Sequence, residues 1–103
     1  MKGFHITSKK NIPSIMSEGL IPSLGFLSDM IMESRPAVFM FKELSEVDYA
    51  MNHWYGDFIR YMYPEKDLIL LQVDLPEDFE VEERYGWELV SYRKIPAGYL
   101  SKI

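Results

Sequence analysis

The chain has 103 residues, 48% hydrophobic and 26% charged, a balance that fits one globular domain over 1–103 and excludes a disordered chain. Sixteen acidic against eleven basic residues leave a formal charge of −5, a field unfavourable to non-specific capture of nucleic acid or of an anionic membrane. With no cysteine, disulfides, thiol nucleophiles and cysteine-based metal centres are ruled out.

The chain opens on Gly3-Phe4-His5-Ile6-Thr7, which alternates as a strand with Phe4 and Ile6 on one face and His5 and Thr7 on the other. Ser8 or Asn11 then caps a helix with Pro13 in its first turn and Ile12, Ile15 and Met16 as its buried stripe. Gly19 falls where a left-handed residue ends a helix, with Leu20 as its apolar contact. Residues 21–25 read as a loop, and 26–36 as a weakly helical stretch stopping before Pro36.

Ala37-Val38-Phe39-Met40-Phe41 is a second strand with Phe39 and Phe41 on one face. The clearest helix follows. Ser45 and Asp48 form a capping-box-like start, and Leu44, Val47, Met51, Trp54, Tyr55, Phe58 and Met62 recur at helical spacing, with Gly56 a point of kinking. Asp67 to Asp74 is a strand apolar enough to be buried on both faces. After a turn at Pro76, Phe79 to Glu83 alternates like a short edge strand. The run Glu77, Asp78, Glu80, Glu82 and Glu83 reads as a charged edge against sheet-to-sheet association. Trp87 to Tyr92 is a further strand with Glu88, Val90 and Tyr92 on one face, and Ile95-Pro96 turns the chain into a closing strand, Tyr99 to Ile103. The class is α+β. No apolar run reaches membrane-spanning length and the start lacks an apolar leader core, so a soluble, cytoplasmic protein is expected.

No phosphate-binding loop, dinucleotide fingerprint or nucleophile elbow is present, and two histidines cannot make a His-rich metal site. Chemistry is then left to His5-x-Thr7 on the first strand, Phe39 and Phe41 on the second, and Glu88 on a late one. Each has a plain structural reading: a satisfied histidine, core rings, a solvated strand carboxylate.

Taken in order, Phe4-His5-Ile6-Thr7-Ser8, Asn11-Ile12-Pro13-Ser14-Ile15, Glu18-Gly19-Leu20-Ile21-Pro22, Ala37 to Phe41, Leu70 to Leu75, and Trp87-Glu88-Leu89-Val90 with Ile95-Pro96 resemble the ADP-ribosyltransferase-like superfamily. The likeness spans nearly the whole chain, and the His-x-Thr start is similar to that of toxins that modify thymidine in single-stranded DNA. It implies a small split β-sandwich with two or three helices and NAD⁺, as substrate, in a cleft between two small sheets. By that resemblance His5 would bind a ribose hydroxyl while the backbone at Ile6 meets the nicotinamide amide, and Thr7 would support the strand or add a hydroxyl contact. Phe39 would lie against the nicotinamide ring where the family commonly has Tyr, with Tyr49, Trp54 or Tyr55 as a second ring. Glu88 would hold the nicotinamide ribose 2′-hydroxyl.

The activity implied is mono-ADP-ribosyl transfer, or a related cleavage of NAD⁺, with a protein or nucleic acid as acceptor. Gly86 stands two positions before Glu88, so the acidic or Gln residue of the arginine-directed enzymes is absent. A tRNA 2′-phosphotransferase, which would need several arginines to grip phosphates, ranks lowest with only four scattered ones. A catalytically silent nucleotide- or protein-binding module on the same fold is the alternative.

Overall fold

In the computed structural model, which describes residues 1–23, 35–53 and 67–103, the chain opens on β1 (Lys2–Ser8). A 3₁₀ turn at Lys9–Asn11 leads into α1 (Ile12–Glu18). Then come β2 (Val38–Phe41), α2 (Leu44–Asn52) and β3 (Leu68–Asp74). The hairpin of β4 (Glu82–Arg84) and β5 (Glu88–Ser91) follows, and β6 (Leu100–Lys102) closes the chain. Among the described residues the strands form one antiparallel sheet in the order β4-β5-β2-β1-β3-β6. No helix among the described residues is long and apolar enough to cross a membrane.

Strand alternation divides the apolar side chains between two faces. Val38 and Met40 of β2, Leu71 and Val73 of β3, Leu89 of β5 and Leu100 of β6 form the larger cluster with Ile15, Leu20, Phe79 and Ile95. On the opposite face Phe4 and Phe41 pack with Val47 and Ala50 of α2. β3 thus serves both faces as its apolar run implies, although its residues outside Leu71 and Val73 are half-buried or, at Asp74, exposed.

Several local expectations are corrected. The Ser45–Asp48 start is replaced by Glu43, whose extended backbone (φ −136°, ψ 151°) turns the chain out of β2 and whose carbonyl accepts from Glu46 and Val47. Asn11 precedes α1, but its side chain donates to Thr7 Oγ1 at 3.2 Å instead of capping. Met16 is 41% exposed; the seven-residue α1 packs along the line of Ile12 and Ile15, and the next residue turns outward. Phe79 lies in the turn after Pro76, buried, with the edge strand starting only at Glu82. A 3₁₀ turn takes up Ala97–Tyr99, so the last strand begins at Leu100. The weakly helical stretch up to residue 34 and the expected helical positions Trp54, Tyr55, Gly56, Phe58 and Met62 lie outside the described residues.

Gly19 is where α1 is fastened to the rest. Leu20 and Ile95 exchange two backbone hydrogen bonds of 2.9 Å, and Gly19 has φ +84°. A Cβ there would stand 2.3 Å from the Ile95 carbonyl oxygen, so a side chain is excluded by contact as well as by backbone conformation.

Candidate functional site

The β1–β2 junction differs from the rest of the sheet. β1 and β3 are in register through seven pairs, from Lys2↔Asp74 to Ser8↔Leu68, whereas β1 and β2 are registered at Phe4↔Phe41 alone. Beyond that pair a side chain takes over from the ladder: His5 Nδ1 lies 2.8 Å from the Phe39 carbonyl oxygen. A carbonyl only accepts, so Nδ1 carries the hydrogen. Burial lowers the His5 pKa, partly offset by this bond. The ring is therefore neutral near pH 7, with Nε2 as its acceptor nitrogen.

Phe39 and Glu88 come together on the α2 side of the sheet. Register pairs Phe41 with Glu88 and Phe39 with Val90, and residues so paired share a face. Glu88 is only 9% exposed, not the solvated strand residue of the plain reading. Its neighbour across the hairpin is Arg84, whose Nε stands 3.1 Å from Glu88 Oε1 and whose guanidinium carbon lies 5.7 Å from the centre of the Phe39 ring. The hairpin turn that makes this pairing holds Tyr85 at φ 58° and Gly86 at φ 76°, closed by Trp87 N–H donating to Arg84 O at 3.3 Å. Trp87 stacks on Phe41, and the exposed Tyr85 stacks on Trp87. Two residues in the left-handed region thus aim Arg84 and Glu88 at one another.

His5 is joined to this group through the backbone of Phe39, while the pleat sends it to the other face: its partner on β3 is Leu71, a member of the larger cluster. Thr7 is buried and receives the Asn11 amide, a strand-supporting role. Ile6 packs against the α2-side cluster. Tyr49 is 57% exposed on α2, where its ring stacks on His53 at 4.0 Å, away from the α2 residues Val47 and Ala50 that pack on Phe4 and Phe41. Tyr55 and Trp54, the other second-ring candidates, lie outside the described residues.

Farther along the same face, a cavity of about 310 Å³ is lined by Arg35, Glu80, Val81, Glu82, Tyr92 and Arg93. Glu82 is registered with Val90, which is registered with Phe39, so the cavity adjoins the Phe39–Glu88 group. Arg35 lies over the Tyr92 ring at 3.9 Å, and the Tyr92 hydroxyl donates to Glu82.

Arg84 is the site residue that sequence reasoning passed over. The Gly86 turn was its signal, because a short hairpin centred there makes residues 84 and 88 cross-strand neighbours. Compared with known protein families, curated proteins and solved structures, the chain finds no match.

Proposed function

We propose that this chain is an NAD⁺-cleaving enzyme of the ADP-ribosyltransferase-like kind, most simply a mono-ADP-ribosyltransferase acting on a protein or nucleic-acid acceptor. The observation that carries the reading is positional: His5, Phe39 and Glu88, far apart in sequence, fall on β1, β2 and β5, three strands adjacent in the sheet.

The side chains suit the chemistry. The nicotinamide of NAD⁺ is a flat cation, and Phe39 offers it a ring face. Glu88 is placed to accept from the ribose 2′-hydroxyl. As the bond between C1′ and the nicotinamide nitrogen breaks, the electron pair leaves with nicotinamide and positive charge grows on C1′ and the ring oxygen. A carboxylate hydrogen-bonded to the 2′-hydroxyl stabilises that charge more in the transition state than in the bound substrate. The acceptor nucleophile, or water, then bonds to C1′ and gives up its proton to solvent. His5, on the other face, acts on this group only through its bond to the Phe39 carbonyl, and the cavity beside Tyr92 leaves room for part of an acceptor.

The test is saturation-transfer NMR of NAD⁺ with the pure protein, followed for hours. Wild type should bind NAD⁺ and release nicotinamide, and Glu88→Gln should still bind NAD⁺ with turnover at saturation lower by roughly 100-fold, the scale of one lost transition-state contact. A Glu88→Gln protein that keeps its rate would sink the assignment. The second reading, a silent binding module on the same fold, is favoured by one observation: Glu88 is already ion-paired with Arg84. Nicotinamide release by wild type that is lost in Glu88→Gln removes it.

A further inference from the structure

We infer that Phe39 and Glu88 form a receptor for flat organic cations and that Arg84 is its built-in occupant, a guanidinium seated where an incoming pyridinium would stack. That the cation is the pyridinium of NAD⁺ rests on the function proposed above; the preference for a flat cation rests on the three side chains alone.

A guanidinium and a pyridinium are alike in the properties this site reads. Both are planar, both spread one positive charge over a ring-sized area, and both are weakly hydrated enough to lie on an aromatic face. Arg84 uses each feature: its Cζ lies 5.7 Å from the Phe39 ring centre and its Nε 3.1 Å from Glu88 Oε1. In a nucleotide, the pyridinium would replace the guanidinium plane and the attached ribose hydroxyl would replace its N–H toward the carboxylate. The Arg84 and Glu88 side chains are 20% and 12% exposed, so a ligand that takes the guanidinium's place beside the carboxylate must displace it.

The fold gives Arg84 somewhere to go. It is the last residue of a three-residue edge strand and is followed by the turn at Tyr85 and Gly86. Short edge strands open locally at low free-energy cost, and an arginine side chain has four torsions with which to swing out. While the guanidinium is seated the site is closed to other cations, and apparent affinity falls by the fraction of time it is open. Arg84 is therefore a gate, an internal competitor with the substrate's own chemistry, and not a catalytic residue.

The experiment uses 1-methylnicotinamide, a pyridinium with neither ribose nor phosphate, and neutral nicotinamide as the uncharged control. Binding to wild type and to Arg84→Ala is followed by amide chemical-shift titration. Arg84→Ala should bind 1-methylnicotinamide at least about tenfold more tightly than wild type, the shift expected when a seat filled nine-tenths of the time is vacated. It should prefer 1-methylnicotinamide to nicotinamide, and Glu88→Gln added to Arg84→Ala should abolish that preference. Equal affinities for wild type and Arg84→Ala, or no preference for the cation, would overturn the inference.

If Arg84→Ala fails to fold, Arg84→Gln keeps the stem, removes the charge and is read against the same criteria. A second readout needs no nicotinamide: a few millimolar guanidinium chloride should raise the Tm of Arg84→Ala above that in equal sodium chloride and leave wild type unmoved. The NAD⁺ experiment is separate. Cation binding by Arg84→Ala without nicotinamide release by wild type would refute the enzyme and keep the receptor, and the reverse pair of results would do the opposite.

Discussion

Three glycines separate two costs that are usually measured together, and Gly19 carries both. Gly98 has no atom within 4 Å of an added Cβ and no positive φ. Gly86 has equal space but φ +76°. Gly19 has φ +84° with ψ −174°, and its added Cβ would lie 2.3 Å from the Ile95 carbonyl oxygen. Substitution by alanine should therefore be neutral or stabilising by up to about 1 kcal/mol at Gly98, because alanine restricts the unfolded chain. At Gly86 it should cost about 1 kcal/mol of backbone strain. At Gly19 the backbone region is nearly closed to alanine, costing about 1–3 kcal/mol. The oxygen it would strike is also one that cannot retreat freely. Ile95 is fully buried, and its carbonyl accepts from Leu20 N–H while its own N–H donates to the Leu20 carbonyl. Losing that pair adds roughly 1 kcal/mol per bond. The total, about 3–5 kcal/mol, is a large part of the stability of an ordinary domain of this size. Urea unfolding of the three variants at one pH measures it. A Gly19→Ala cost no greater than that of Gly86→Ala would refute the contact argument and leave only the strain.

Two further predictions concern the strands that meet at the candidate site. His5 has a lowered folded pKa, so the unfolded chain binds its proton more readily; stability owed to His5 is full above about pH 6.5 and declines as pH falls toward the folded value. The stability difference between wild type and His5→Phe should shrink over that window, and a difference independent of pH between 7.5 and 5.5 would refute the neutral, buried ring. Leu89 is 1% exposed in the larger cluster, so Leu89→Ala should cost about 2–5 kcal/mol in urea unfolding, and a loss under 1 kcal/mol would show that β5 is not held by that face.

The strands were legible because their signals are local. Alternation at Gly3–Thr7 and the apolar run at 68–73 are set by pleat and burial. Sequence could also place Phe39 with Phe41 and Glu88 with Val90, since a period of two fixes the face. Three features were not legible for one reason, namely that each depends on how two segments meet. The burial of Glu88 follows from β4 and β2 lying on either side of β5. The bond from His5 to Phe39 O follows from β1 and β2 parting after one registered pair. The start of α2 was misread because Ser45 and Asp48 fit a capping box, yet the exit from β2 sets the first turn at Glu43. Met16 failed in the same way: helical spacing put it in the stripe, but only contact with a second element decides how wide the buried stripe is.

The same pleat separates stability from chemistry within two consecutive residues. Leu89 points into the cluster that joins β2, β3, β5 and β6, while Glu88 points to the face of Phe39 and Arg84. Most of the fully buried apolar volume, at Met40, Leu71, Val73, Leu89 and Ile95, lies on Leu89's side. The driving force for folding scales with apolar area removed from water, so that face supplies most of it. The opposite face is then free to hold a buried carboxylate and guanidinium, an arrangement that adds little net stability because desolvation offsets the attraction. Such a pair is easier to explain by what it recognises than by what it stabilises. Loss of one partner destabilises any buried pair, so folding does not separate the two roles; a seat for a flat cation is recognised by the Arg84→Ala or Arg84→Gln protein accepting a cation from solution where wild type does not.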